Sequence, residues 1–232
     1  MKTIAACLVV IGGAVAATSA TPQNAPSGAA TDIYHVHFAK AAPGQAAALG
    51  KSLMTPDKTS PMPDHFVVLR HQEGDDWDYV VIQHLGAKAE LTVTPPPAAN
   101  QPALNAWHND TYVAGPSWAE FAKEMGLGAG AAGQVYIVGV QRPVPGHREQ
   151  LLKSLTAAGP AGKIQTGTVL LQHMEGSEWT FATITRYNSW QDLASGRVAA
   201  AAAGDTAGGW ADIRQHSAFH RDTIADRIYP PK

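Results

Sequence analysis

The sequence predicts an α+β protein made of two similar halves, and two observations support this fold class. The first is an internal repeat, in which residues 33–86 align without a gap on residues 135–188 with 15 identities in 54 positions. The centre of the repeat, LRHQEGDDW at 69–77, returns as LQHMEGSEW at 171–179, a shift of 102 residues. None of the identities is alanine, so an Ala-rich composition does not explain the match. The second observation is that each repeat has the pattern of a strand, a helix and two more strands, which indicates a duplicated supersecondary unit.

The first element of each repeat is predicted to be a strand with one apolar face. Residues 33–40 alternate between two sets of side chains, and this period of two is typical of strands. The apolar face carries Tyr34, Val36 and Phe38. His35 and His37 lie on the opposite face, and we expect helices to cover the apolar one. The matching strand of the second repeat is predicted at 135–142.

A helix and a hairpin are predicted next in each repeat. In Pro43-Gly44 and Pro145-Gly146, the proline fixes its own φ angle and the glycine can adopt a positive φ. Each pair therefore predicts a turn that leads into a helix. The hairpin strands are predicted at 65–72, 77–84, 168–173 and 179–186. Between the strands of each hairpin, a Glu-Gly pair followed by two polar residues predicts a tight turn, in which the glycine supplies the positive backbone angle.

The remainder of each half is predicted to be helical. The expected helices span residues 103–113, 117–125, 189–203 and 210–228. Ser117 and Ser189 each precede a carboxylate by three residues, as in a capping box, and so predict helix starts. Residues 223–229 could form a strand, but Ile224 and Ile228 have helical spacing. No clear fourth strand is therefore predicted in either half.

A strand that closes on a basic residue, followed by a Pro-Gly turn into a helix and then by a hairpin, resembles the dimeric α/β-barrel superfamily of ferredoxin-like domains. The resemblance implies two fused ferredoxin-like halves, 33–133 and 134–232, whose sheets pair into a barrel. In many relatives the lumen receives a small organic ligand or a haem. The superfamily includes cofactor-independent monooxygenases, isomerases, haem-dependent chlorite dismutases and proteins with no known chemistry. No residue pattern matches the haem ligands or catalytic residues of these families, so no cofactor is predicted.

The N-terminus predicts export. Residues 1–20 combine Lys2, a short apolar run and a small-residue boundary, which is typical of a cleaved signal peptide, and residues 21–32 read as a disordered linker. The predicted location is the periplasm or the exterior. Cys7, the only cysteine, lies inside the signal, so the mature chain is expected to form no disulfide.

The charge balance excludes two classes of partner. Lys plus Arg number 17 against 19 for Asp plus Glu, and removal of Lys2 leaves 16 against 19. This weakly acidic balance does not support nucleic-acid binding. The sequence also contains no basic amphipathic stretch, so no membrane association is expected after signal cleavage. The chain is expected to be a monomeric pseudo-dimer or a weak homo-oligomer.

The two histidine–tryptophan pairs of the repeat are the first candidate binding residues. His71 precedes Trp77 by six residues, as His173 precedes Trp179. A three-residue hairpin loop would place each pair on one face, where it could line a lumen, whereas a loop of two or four residues would separate the rings. A histidine that packs on a tryptophan beside a turn is also an ordinary structural contact, and the occurrence of the pair in both repeats favours this interpretation. Both interpretations stay open from sequence alone.

A metal site is a second hypothesis. His35 and His37 are spaced for two ligands of one ion. A third ligand would have to come from His71, His84, or the pair His216 and His220, which is expected on one helical face. Sequence cannot place that ligand, so no metal is predicted.

The first half carries more imidazoles than the second. His35, His37 and His84 correspond to Ile137, Gly139 and Arg186. Because polar groups on a strand face need hydrogen-bond partners or a use, any ligand is expected to belong mainly to the first half.

The function predicted from sequence is binding of a small organic molecule in the barrel lumen. The candidate residues are His35, His37, His71, Trp77, Tyr79, His84, His173 and Trp179. One alternative is a cofactor-independent monooxygenase- or isomerase-like enzyme that uses a lumen histidine as a base. Another is a structural or oligomerisation module whose lumen is filled by side chains. No catalytic residue is predicted.

Overall fold

Eight antiparallel strands close into a barrel in the order β1-β3-β2-β8-β5-β7-β6-β4. The structure is a computed structural model, and it describes residues 30–88, 104–128, 133–157, 164–204 and 209–231. Among these residues no helix is long and apolar enough to cross a membrane.

The first half of the chain contributes four strands and two helices. They are β1 (Asp32–Ala41), α1 (Ala46–Leu53), β2 (Phe66–Glu73), β3 (Tyr79–Ala87), β4 (Asn105–Gly115) and α2 (Trp118–Glu124). The second half contributes four strands and three helices. They are β5 (Val135–Pro143), α3 (Arg148–Thr156), β6 (Gly167–Glu175), β7 (Phe181–Tyr187), α4 (Trp190–Ala203), α5 (Trp210–His216) and β8 (Ser217–Tyr229).

The predicted order of strand, helix, strand, strand is confirmed in both repeats. The four strands of the first half are neighbours in the order β4-β1-β3-β2, and those of the second half in the order β8-β5-β7-β6. The ladders β2–β8 and β4–β6 join the halves and close the barrel. Both predicted helix starts are also confirmed, because Ser117 Oγ accepts a hydrogen bond from Glu120 N and Ser189 Oγ accepts one from Asp192 N.

The barrel lumen is packed with side chains. One cluster of buried residues draws on every strand, which is possible only inside the closed sheet. Its members from the strands are Tyr34, Val36, Phe38, Val67, Leu69, Val80, Ile82, Val113, Tyr136, Val138, Val140, Val169, Leu171, Ala182, Ile184 and Ala225. Smaller clusters lie outside the barrel, one of them beneath α1 and another beneath α4.

Two expectations about the interior are corrected. The apolar face of β1 points into the lumen and is not covered by α1, so His35 and His37 lie on the outside of the barrel. The lumen itself is not the expected ligand chamber, because the cluster fills it at the level of the strands. The physical reason is that a closed sheet buries most of its inner face by itself, whereas α1 and α4 pack on the outer face.

The fourth strands were missed by the sequence analysis. The predicted helix 103–113 is β4, and most of the predicted helix 210–228 is β8. In β8 the inward side chains at 223, 225 and 227 are Thr, Ala and Arg, so the usual alternation of apolar and polar residues is hidden. Pairing with β5 and β2 nevertheless fixes the strand, since tertiary context outweighs a weak local pattern.

Two smaller boundaries also differ. His216 ends α5 and His220 lies on β8, so the two imidazoles do not share a helical face. The strand β1 begins at Asp32, which is buried, and Thr31 N donates a hydrogen bond to Gly115 O at 2.9 Å, so residues 31 and 32 belong to the barrel and not to the predicted linker. The predicted signal peptide and residues 21–29 of the predicted linker lie outside the described residues.

The short helix α2 closes one end of the barrel. Phe121 and Met125 are fully buried and belong to the lumen cluster. The Tyr34 hydroxyl donates to Pro116 O at 2.7 Å, and the hydroxyl of Tyr136, its counterpart in the repeat, donates to Met125 O at 2.9 Å. The two tyrosine hydroxyls therefore bind the backbone at both ends of α2, which we call the plug.

Candidate functional site

The opposite end of the barrel opens into a cavity, which we call the mouth. Its volume is about 760 Å³, within the usual range of ligand pockets. The tips of the two repeat hairpins and the first residues of β4 and β8 surround it. It is lined by Phe38, Asp75, Asp76, Trp77, Trp107, His108, Asn109, Val140, Gly176, Ser177, Glu178, Trp179, Phe219 and Arg221.

Five phenylalanine and tryptophan side chains belong to the lining of the mouth. Trp77 and Trp179, which correspond in the repeat, are both almost fully buried. Phe38 packs on Trp77 with ring centroids 5.6 Å apart. Trp107 and Phe219, at the starts of β4 and β8, complete the aromatic wall, and Trp107 remains 36% exposed. Such walls offer flat apolar faces to a ligand.

The charges at the mouth are largely paired. Arg221 Nη1 lies 2.9 Å from Asp75 Oδ1, and its guanidinium stands over the Phe219 ring at 5.2 Å. Lys40 forms an ion pair with Asp76. With Glu178 also in the lining, carboxylates outnumber the single lining arginine.

The two repeat histidines lie behind the mouth and do not line it. The rings of His71 and Trp77 are 5.7 Å apart, and those of His173 and Trp179 are 5.4 Å apart, so each pair does share one side of its hairpin. His173 Nε2 accepts a hydrogen bond from Ser177 N at 2.9 Å. This contact fixes the hairpin tip, as the structural interpretation of these pairs expected.

His35 and His37 converge on Asp110 of β4, on the outer face of the barrel. His35 Nε2 and His37 Nδ1 each lie 2.8 Å from Asp110 Oδ1, and His108 Nδ1 lies 2.7 Å from Asp110 Oδ2. Burial by itself would raise the pKa of Asp110. The hydrogen bonds from His35 and His37 outweigh it, so the pKa lies far below its usual value.

His84 belongs to a separate group at the plugged end. Its Nε2 lies 2.8 Å from Asp32 Oδ2, and its Nδ1 lies 3.2 Å from Nδ1 of His65. Trp118 stacks on the His65 ring at 4.6 Å, and Trp118 N donates to Asp32 Oδ2. Burial lowers the pKa of His84, and the contact with Asp32 opposes this shift only in part.

Tyr79 does not line the mouth. It lies on the outer face of β3 beneath α1, and its hydroxyl donates to Ala46 O at 2.7 Å. The eight sequence candidates therefore fall into five places: Trp77 and Trp179 at the mouth, His71 and His173 behind them, His35 and His37 on the outer face beside Asp110, His84 at the plugged end, and Tyr79 beneath α1.

Sequence reasoning missed Trp107, His108, Asp110 and Phe219, although a signal was present. The segment WHNDT at 107–111 returns as FHRDT at 219–223. The barrel register equates the two segments, because Phe38 pairs with Asn109 and Val140, its counterpart, pairs with Arg221. The shift here is 112 residues and not 102, so a gapless alignment passes over it.

The fold and the mouth define a class: an α+β protein with a closed eight-stranded antiparallel barrel, plugged by a helix at one end and open to an aromatic cavity at the other. Comparisons with protein families and with curated proteins found no match.

A search of solved structures found similar chains, including the following two. The crystal structure of an anthrone oxidase-like protein has a TM-score of 0.53 and 12% identity, over 86% of this chain and 92% of that one. A monooxygenase-like protein from Lactobacillus acidophilus NCFM has a TM-score of 0.47 and 9% identity, over 85% of this chain and 94% of that one. At such low identity the similarity to the former supports the barrel fold alone.

Proposed function

We propose that the protein binds a small, uncharged aromatic molecule at the mouth of the barrel. The observation that carries this proposal is the coincidence of a cavity of about 760 Å³ with a wall made from Trp77, Trp107, Trp179 and Phe219. A planar ring system gains both buried apolar area and ring contacts from such a wall. The excess of carboxylates in the lining disfavours an anionic ligand.

The geometry favours binding over the two alternatives. The enzyme predicted from sequence would use a lumen histidine as its base, but neither His71 nor His173 lines the mouth. The histidine that does line it, His108, lies on β4 at the rim and not in the lumen, and its Nδ1 is hydrogen-bonded to Asp110. The packed lumen is what a purely structural module requires, yet such a module has no need of an open aromatic mouth. We therefore move the proposed binding site from the lumen to the mouth.

Two further proposals concern the chain as a whole. We infer that the barrel is a fused pair of ferredoxin-like halves related by a pseudo-twofold axis, a view supported by the equal strand orders. We also infer export, supported by the composition of residues 1–20. The intact mass of protein secreted by its host would test export: a chain that begins near Thr21 agrees with it, and uncleaved Met1 protein as the sole species contradicts it.

Binding is tested with 2-naphthol as the aromatic probe and cyclohexanol as a non-aromatic alcohol. Isothermal titration should give saturable binding of 2-naphthol and much weaker binding of cyclohexanol. Replacement Trp107→Ala should weaken 2-naphthol binding by about 1–2 kcal/mol, because the exposed indole contributes contact area without supporting the core.

The matched control is Trp190→Ala, since Trp190 is also exposed but lies on α4 and not in the lining of the mouth. This variant should bind the probe as the parent protein does. An equal loss of 2-naphthol affinity in Trp107→Ala and Trp190→Ala would contradict the proposed site. So would a parent protein that binds cyclohexanol as tightly as 2-naphthol.

A further inference from the structure

We propose that His37, His108 and Asp110 form a binding site for a divalent transition-metal ion such as Zn²⁺, on the outer face of β1 and β4 at the rim of the mouth. This proposal does not rest on the proposed function, since it concerns binding of the metal alone. Sequence spacing placed only His35 and His37, and the structure adds His108 and Asp110 beside them.

The donor atoms already converge. One ligand atom from each of His37, His108 and Asp110 lies within 4.8 Å of the other two. The barrel register explains this, because His37 pairs directly with Asp110 across the β1–β4 ladder and His108 lies two residues before Asp110 on the same strand face. Rigid strands thus hold all three side chains, which is the support that a metal site needs.

The chemistry of the set fits a borderline metal ion. Two imidazoles and one carboxylate are ligands that Zn²⁺ and its neighbours prefer, and three protein ligands leave a coordination position open. Ring nitrogens of three histidines contact this single carboxylate. A bound ion would take the place of the protons in the hydrogen bonds between the imidazoles and Asp110. Small side-chain rotations would then bring the donor atoms to bonding distance from the ion.

His35 is a positioning residue in this proposal. Its Nε2 lies 2.8 Å from Asp110 Oδ1, and its ring packs against Tyr112 with centroids 5.3 Å apart. A hydrogen bond to a ligating carboxylate fixes its orientation, and removal of such a partner usually costs 10–100-fold in metal affinity.

The second half provides a comparison within the same molecule. His220 and Asp222 keep the histidine–carboxylate contact at 2.9 Å, but Gly139 stands where the first half has His37. Arg197 Nη2 also lies 3.2 Å from Asp222 Oδ2. A guanidinium beside the carboxylate opposes a second cation, so we expect the metal in the first half only.

The test is titration of the untagged mature chain from Thr21, which lacks Cys7, freed of metal with a chelator, with Zn²⁺ alone by calorimetry. We expect a single saturable site and a rise in melting temperature with added Zn²⁺. Co²⁺ as a second probe should give the visible absorption of a low-symmetry site with nitrogen and oxygen ligands.

Variants locate the ion. Both His108→Ala and His37→Gln should abolish the saturable site, whereas His35→Ile should keep one ion with roughly 10–100-fold lower affinity. The matched control His220→Ala should bind as the parent does. If His37→Gln fails to fold, His108→Ala decides, because this side chain is 40% exposed and supports no core.

Three results would overturn the proposal. The first is the absence of saturable Zn²⁺ binding in the folded parent protein. The second is binding that survives His108→Ala, and the third is binding that is lost in His220→Ala.

Discussion

Buried ionisable side chains in the wall of the barrel make its stability depend on pH, and His84 is the clearest case. Burial lowers its pKa below the ordinary value of 6.5, so the folded state favours the neutral imidazole. The facing titratable groups are Asp32 and Tyr34 on β1 and His65 before β2. Asp32 pulls the pKa upward but does not cancel the effect of burial.

The sign of the pH dependence follows from this direction. The unfolded chain binds a proton at His84 more readily than the folded chain does. The folded protein therefore loses stability through this group as pH falls below about 6.5. Replacement His84→Gln should therefore reduce the drop in unfolding free energy between pH 7.5 and pH 5.5. Denaturant unfolding of the parent protein and of the His84→Gln variant at both pH values measures this drop. An unchanged drop would show that His84 does not control this part of the profile.

At the scale of elements, α2 is too short to be stable as an isolated helix. Seven residues lie below the length at which helices persist in water, so its stability comes from packing. It inserts Phe121 and Met125 into the lumen, and the hydroxyls of Tyr34 and Tyr136 bind the backbone at its two ends. The plug keeps water from one end of the packed core.

Truncation of the plug should destabilise the whole barrel. We expect Phe121→Ala to lower the unfolding free energy by about 3–5 kcal/mol, because it leaves a cavity in a closed lumen. The exposed residue Val198 of α4 provides the control, and Val198→Ala should change stability by less than about 0.5 kcal/mol. Equal effects in urea unfolding would mean that α2 does not support the core.

At the scale of the molecule, the two halves meet where each repeat hairpin packs on the last strand of the other half. Gly74 follows β2 with φ +128° and approaches the backbone of Asp222 and Thr223 on β8. Gly176 follows β6 with φ +103° and approaches Asp110 and Thr111 on β4 in the same way. The glycine of the repeat motif thus serves the junction between halves as well as the turn.

A methyl group at this junction should weaken the association of the halves. We expect Gly74→Ala to cost about 2–4 kcal/mol, from a positive φ together with overlap on the β8 backbone. Gly44 has φ +78° but no atom within 4 Å of an added Cβ, so Gly44→Ala should cost only about 1 kcal/mol. Chemical denaturation compares the two variants, and a cost for Gly74→Ala no larger than that for Gly44→Ala would contradict a tight junction.

The sequence by itself determined the parts of the fold that local patterns encode. The repeat around His71 and Trp77, the alternation in β1 and the serine caps of α2 and α4 each predicted an element that the structure contains. These signals are local because turn chemistry, capping and side-chain periodicity act within a few residues.

Only the tertiary structure decided which face of each strand is interior, where the fourth strands lie and which side chains meet. β8 carries Thr223, Ala225 and Arg227 on its inner face, so its identity as a strand depends on the ladders with β5 and β2 and not on its own pattern. His37 and Asp110 are 73 residues apart, and no local spacing relates them. Barrel closure sets that register, because each strand must satisfy its hydrogen bonds with two neighbours that are distant in sequence.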